Sequence, residues 1–172
     1  MDLTTLQSKR LTFQPFNAHD FEDLYRILSN QQTCQYLPGG KPYTEEQVHK
    51  WLNYFINSFS IDKRHVVYAI RLHNDLRIIG YCGCNFVPEF NTNEIKYILH
   101  PDYFGYGYAT EAALMMKQVA STFDFTTLVG LADIRNIASQ RVLEKIGYIY
   151  QKTIDIWGET MKYYELPIQK NE

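Results

Sequence analysis

Glu94-Ile-Lys-Tyr-Ile-Leu-His-Pro-Asp-Tyr-Phe-Gly-Tyr-Gly-Tyr-Ala-Thr-Glu-Ala-Ala113 is the stretch on which the reading of this chain turns. Its apolar, β-prone start (Ile95, Tyr97, Ile98, Leu99) stops at Pro101. A short aromatic loop with Gly105 and Gly107 follows, and a helical pattern begins at about Tyr108. The order is strand, glycine loop, helix. The first turn of a helix leaves backbone N–H groups without partners and carries partial positive charge, so such a junction favours an anion. Gly105 and Gly107 can reach positive φ, which lets the amides of 103 to 109 turn inward around a phosphate. The alternative is a tight turn between strand and helix. No third glycine completes G-x-G-x-x-G, since Thr110 stands there, and G-K-[ST] is missing, so dinucleotide and P-loop sites fit poorly.

The stretch resembles the acetyl-coenzyme A loop of the GNAT N-acetyltransferases, in particular the ribosomal-protein (RimJ/RimL-like) branch. That branch carries "A-E-I-G-Y" and then "H-P-x-Y/W-x-G-x-G-Y-A-T-E-A". Asn93 to Tyr97 and His100 to Ala112 correspond. A second family element, "N-x-x-S-x-x-V-L-E-K-x-G-F/Y", is matched by Asn136 to Tyr148. A third, the opening "R-L-x-L-R-P", is approached by Arg10-Leu-Thr-Phe-Gln-Pro15, with Gln14 where arginine is usual. The resemblance covers essentially the whole chain.

The 172 residues read as one domain, 1–172, with 45% hydrophobic and 15% aromatic residues to build a core. A net charge of −2 and no basic block argue against nucleic acid as a partner. The first ten residues are polar, and no apolar run is long enough to span a membrane, so no membrane partner and a cytoplasmic location are expected. Cys34, Cys82 and Cys84 read as buried thiols, not metal ligands or disulfides.

Along the chain, Lys9–Phe16 alternates like a strand, and Asn17–Asn30 reads as a helix. Gln31–Tyr43 reads as a loop. Thr44–Gln47 forms a capping box for a helix whose stripe is Val48, Trp51, Leu52, Phe55, Ile56 and Phe59. Strands are expected at 65–72, 76–87 and 94–99, the first two joined by a turn at His73–Asp75, as an antiparallel meander. A helix from Tyr108 to near Thr122, a strand 126–133, a helix 136–146 ending at Gly147, and strands 148–156 and 160–168 complete the order. The fold class is α+β (mixed α/β), and the resemblance implies a GNAT fold with a mostly antiparallel sheet of six to seven strands and about four helices.

The resemblance also implies site residues. Amides around Tyr103, Phe104, Gly105, Tyr106, Gly107, Tyr108, Ala109 and Thr110 would hold the cofactor's pyrophosphate. Tyr97, Ile98 and Leu99 would pair their backbone with the pantetheine arm, with an amide near Leu99 polarising the thioester oxygen. Asn136 would bond the pantetheine chain or serve only as a helix cap, with Asp133 competing for that job. Ser139, one turn on, would protonate the departing thiolate or be a tolerated mid-helix serine, with Tyr148 in reserve. Glu94 would be the general base, Glu89 a weaker candidate, and positioning without a strong base is the alternative. Glu111 is expected to stabilise the helix end through the dipole. Two departures stand out: Asp102 where many relatives carry Gln or Arg, and Lys96 in place of a glycine.

The implied activity is acetyl transfer from acetyl-coenzyme A to a primary amine, with no metal, and the size and family are compatible with a homodimer. The alternatives are a non-catalytic acyl-coenzyme A sensor and a nucleotide-binding enzyme using Gly105 and Gly107. Gln31–Tyr43, Pro88–Asn93 and Ile156–Glu159 are the segments expected to select the acceptor.

Overall fold

A computed structural model of the protein describes residues 3–60, 65–123 and 125–168, which leaves Met1 and Asp2 of the polar lead-in outside the described residues. Its strands are β1 (Leu6–Gln7), β2 (Leu11–Pro15), β3 (Val66–Leu72), β4 (Ile78–Val87), β5 (Thr92–Leu99), β6 (Thr127–Asp133), β7 (Ile149–Ile156) and β8 (Glu159–Pro167). The helices are α1 (Phe21–Leu28), α2 (Gln31–Cys34), α3 (Glu45–Ser58), α4 (Tyr108–Ser121) and α5 (Ile137–Lys145). The eight strands form one sheet in the order β1-β2-β3-β4-β5-β6-β8-β7, antiparallel throughout except between β5 and β6. The mixed α/β class holds. Two elements extend it: β1, and α2 inside the segment read as a loop.

Each face of the sheet buries its own cluster. On one side Ile95 and Leu99 of β5 meet Ala112, Met116 and Val119 of α4 and Leu143 of α5. On the other, Val67, Ala69 and Ile78 meet Leu24 and Ile27 of α1 and Val48, Leu52 and Phe55 of α3. The expected capping box starts α3, with Thr44 accepting from the Gln47 amide and the Gln47 side chain accepting from the Thr44 amide. Trp51 of the expected stripe is partly exposed and tilts against Phe55. All three cysteines are buried and free, and burial raises their thiol pKa values.

Where β5 meets β6, two strands stop pairing. The parallel ladder holds only at Asn93–Leu128 and Glu94–Val129, while β5 stays paired with β4 from Val87–Thr92 to Gly80–Leu99. Buried backbone groups need partners, and at this fork side chains replace strand contacts. The Tyr148 hydroxyl donates to Val129 O at 3.1 Å, and the Ile95 amide lies near enough to act on it electrostatically. The Leu131 amide lies near enough to the Glu94 carboxylate to favour its charged form. Beyond these substitutes β5 and β6 diverge, and the β6-facing edge of Tyr97–Leu99 carries no ladder. Tyr148, read from the sequence as a reserve acid, has its hydroxyl buried in the fork and donating to the β6 backbone.

Tyr148→Phe leaves Val129 O without that partner. It is expected to lower the unfolding free energy by about 1–3 kcal/mol, the range for orphaning a buried polar group. Urea titration of the two proteins measures this, and equal midpoints would contradict the role given to the hydroxyl.

Candidate functional site

The glycine loop is shaped before any ligand arrives. Pro101–Tyr103 makes a 3₁₀ turn, and His100 accepts the Asp102 amide at 3.3 Å. Gly105 and Gly107 then adopt φ of +81° and +80°, the left-handed region that glycine tolerates. Gly107 is the residue preceding α4, and no side chain caps that helix. Its first-turn amides are thus left for an external acceptor. Arg10 holds the loop from the outside: Nη1 donates to Tyr106 O at 2.9 Å, Nε pairs with Glu111 at 2.7 Å, and the guanidinium lies 4.5 Å from the centre of the Tyr108 ring. Glu111 also accepts from Ser8 Oγ and the Arg10 amide, both at 2.7 Å. Its role is wider than the expected dipole effect, since it fastens the β1–β2 connection to α4. Partial burial pushes its pKa up, but the bonds from Ser8 and Arg10 outweigh this and hold it below the usual carboxylate value.

The open edge of β5 runs from this loop toward the fork. Opposite it, Asn136 begins α5 and accepts the Ser139 amide at 3.1 Å, so the asparagine is the cap of that helix. Asp133 is engaged elsewhere, accepting the Arg135 amide and Nε at 2.8 Å each. Across the gap the Tyr97 hydroxyl lies 3.0 Å from Ser139 Oγ and 3.1 Å from Ser139 O. Burial pushes the Tyr97 pKa far up, so the phenol stays protonated. The sequence assigned Tyr97 only a backbone role. The structure adds its hydroxyl, joined to Ser139 in a pair able to pass one proton.

Glu94 and Lys96 project to the other face of β5, toward α3. Glu94 is nearly buried, its side chain 6% exposed. Lys96 Nζ stands 3.3 Å from Glu94 Oε2, within ion-pair reach but out of line for a hydrogen bond, and that oxygen has no hydrogen-bond partner. Burial raises the Glu94 pKa, and Lys96 and the Leu131 amide only partly oppose it, so the carboxylate takes a proton more readily than an exposed one does. His65 lies nearby. Its Nε2 is buried without a hydrogen-bond partner, its ring meets Tyr54 edge-on, and burial, then the Lys96 charge, keeps it neutral. Sequence reasoning passed over His65. The signal was in the register: Val66 pairs with Cys84 and Cys84 with Ile95, so the residues one step before the first and last share the opposite face.

The three segments expected to select the acceptor converge here. The indole of Trp157 donates to Glu89 at 2.8 Å, and its ring centre lies 5.9 Å from Lys96 Nζ. The Gly39 amide donates to Glu159, which also meets Arg135 at 3.7 Å, and Arg135 lies over Tyr36. Glu89 is exposed, and its bond from Trp157 lowers its pKa, unlike the raised value of Glu94. A cavity of about 510 Å³ lined by Phe90, Thr92, Thr127 and Tyr163 lies at the starts of β5 and β6, away from the open edge. Among the described residues no group of His, Cys, Asp and Glu could hold a metal ion. No described helix is long and apolar enough to cross a membrane.

A strand that splits from its parallel neighbour, with an uncapped helix end beyond it, is the frame that comparison with known proteins places. Residues 10–149 match the family model described as Acetyltransferase (GNAT) domain, and the chain belongs to that family of acetyl-transferring enzymes. A curated relative, the uncharacterized N-acetyltransferase YnaD of Bacillus subtilis (strain 168), is 28% identical, the match covering 100% of this chain and 99% of YnaD. Among solved structures, a GNAT-family acetyltransferase from Bacillus anthracis superposes with a TM-score of 0.79 at 24% identity, covering 95% of this chain and 98% of that one. The RimL ribosomal L7/L12 α-N-protein acetyltransferase, solved with coenzyme A, gives 0.78 at 18%, covering 97% and 99%.

The raised Glu94 pKa carries a sign for stability. A carboxyl whose folded pKa lies above its unfolded value costs stability as pH rises through the folded value, and costs nothing below the unfolded one. Glu94→Gln, which keeps an acceptor near the Leu131 amide, is therefore expected to unfold at higher temperature than wild type at pH 7–8. The gap should close as pH falls to the ordinary glutamate value of 4.5. Melting curves across pH 4–8 test this, and a less stable variant at neutral pH would contradict it.

Proposed function

We propose that the protein transfers the acetyl group of acetyl-coenzyme A directly to a primary amine, with the two substrates bound on opposite sides of β5. The observation that carries the reading is the buried Oε2 of Glu94, which has no hydrogen-bond partner and only the Lys96 ammonium beside it, on a strand whose neighbouring edge is open. The amides of Gly105 to Thr110 would hold the pyrophosphate, with Tyr103 and Phe104 shaping the approach. The backbone of Tyr97, Ile98 and Leu99 would align the pantetheine arm as an added strand, and an amide near Leu99 would polarise the thioester oxygen.

Glu94 accepts a proton from the incoming ammonium, directly or through water, and the free amine attacks the thioester carbon. As the carbon–sulfur bond breaks, the Tyr97–Ser139 hydroxyl pair delivers a proton to the thiolate. Asn136 fixes the start of α5 and so the position of Ser139. The Asn93–Tyr97 and His100–Ala112 motifs favour the RimJ/RimL-like branch, and with it a cytoplasmic enzyme acting on a protein N-terminus, a polyamine or another small amine.

In thermal-shift measurements acetyl-coenzyme A and coenzyme A are expected to protect the protein, by about 2.7 kcal/mol at a hundredfold excess over Kd, while ATP and NAD do not. An amine panel followed by thiol release should find a turned-over acceptor. On it, Glu94→Gln should lower kcat by about 10²-fold or more without loss of coenzyme protection. Protection without turnover of any amine would point instead to a sensor, and protection by ATP or NAD alone would overturn the reading.

A further inference from the structure

A lysine already occupies the position that the proposed mechanism reserves for the acceptor. Lys96 replaces a glycine of the matching motif and sits on β5 between Glu94 and Tyr97. Its Nζ, a primary amine like the proposed acceptor, stands 3.3 Å from the one carboxylate oxygen of Glu94 that has no hydrogen-bond partner. The side chain is 45% exposed, so it is neither locked into the core nor free in solvent. Trp157 lies beside the ammonium, and Glu89, held by the Trp157 indole, and neutral His65 lie within its field. None of these groups approaches Nζ as closely as Glu94 does among the described contacts.

We infer that Lys96 is a tethered acceptor, acetylated by the protein itself when no free amine fills the site. This rests on the acetyl-coenzyme A reading given above. The ammonium of Lys96 gives one proton to Glu94, and the nitrogen lone pair forms a C–N bond to the thioester carbonyl carbon. The C–S bond breaks. The second nitrogen proton balances the one that the hydroxyl pair hands to the thiolate, so the products are an amide, a free thiol and one proton released from Glu94 to solvent. The acetylated side chain has lost its charge, so Glu94 loses its only ion-pair partner among the described residues. The amide also fills the space beside Glu94 that an incoming amine needs. Self-acetylation would thus shut the site when acceptor is scarce.

The full-length protein, incubated with acetyl-coenzyme A and no amine, is expected to gain the mass of one acetyl group, which peptide mapping should place on Lys96. The initial rate per molecule should not change with protein concentration, as for transfer within one chain. Lys96→Arg should remove the mark, and Glu94→Gln should slow it by about 10-fold or more. Adding a turned-over amine should slow it by competition. No acetyl group at Lys96, marks spread over surface lysines at equal rates in Glu94→Gln, or a rate rising with protein concentration would overturn the inference. Turnover of free amines by protein that stays unmarked at Lys96 would sink this inference alone, whereas absence of both turnover and coenzyme protection would sink the acetyl-transfer reading beneath it.

Discussion

The structure depends on how two parallel strands are made to part without leaving buried backbone groups unpaired. Between β5 and β6 the ladder lasts two residue pairs, and then side chains enter the gap. Tyr148, which follows α5, sends its hydroxyl into the fork from one face and donates to Val129 O, close to the Ile95 amide. Glu94 enters from the other face, its carboxylate within the field of the Leu131 amide. A parallel pair that simply frayed here would leave polar atoms in an apolar interior, at a cost of a few kcal/mol. With these side chains in place, Val129 O keeps a partner, and the edge of Tyr97–Leu99 stands open as part of the fold.

The same arrangement sets the chemistry. Glu94 Oε2 lies buried without a hydrogen-bond partner, with the Lys96 ammonium 3.3 Å away. Burial then raises its pKa. The fork thus supplies on one face a carboxylate inclined to take a proton. On the other it places Tyr97 against Ser139, a protonated phenol beside a helix-borne hydroxyl. The carboxylate and the hydroxyl pair lie on opposite sides of one strand, which is the arrangement the proposed transfer uses.

Much of this was legible in the residues. The alternation of β2, the capping box of α3, the meander β3–β5 and Gly147 at the end of α5 are local signals, and each element formed within a few residues of its expected place. What escaped was either very short or joined across the chain. β1 has two residues, too few for any period, and is held by its pairing with β2. The four residues of α2 are started by Asn30, whose side chain accepts the Gln32 and Thr33 amides, within a segment whose glycines and prolines read as loop. The bond between Tyr97 and Ser139 and the place of His65 need strand register and helix packing, which no single window of sequence contains. Glu94 was named from the motif, but its burial beside Leu131 depends on the fork.

Arg10 has one more consequence. Arg10 precedes the glycine loop it holds by roughly a hundred residues, the Arg10–Glu111 bond spanning 101 positions. Contacts so distant in sequence form late, because a long loop must close first. The clasp is thus a seal on finished folding: a half-folded chain has the glycines but not what holds them, and the loop takes its shape only when two segments far apart in sequence have met.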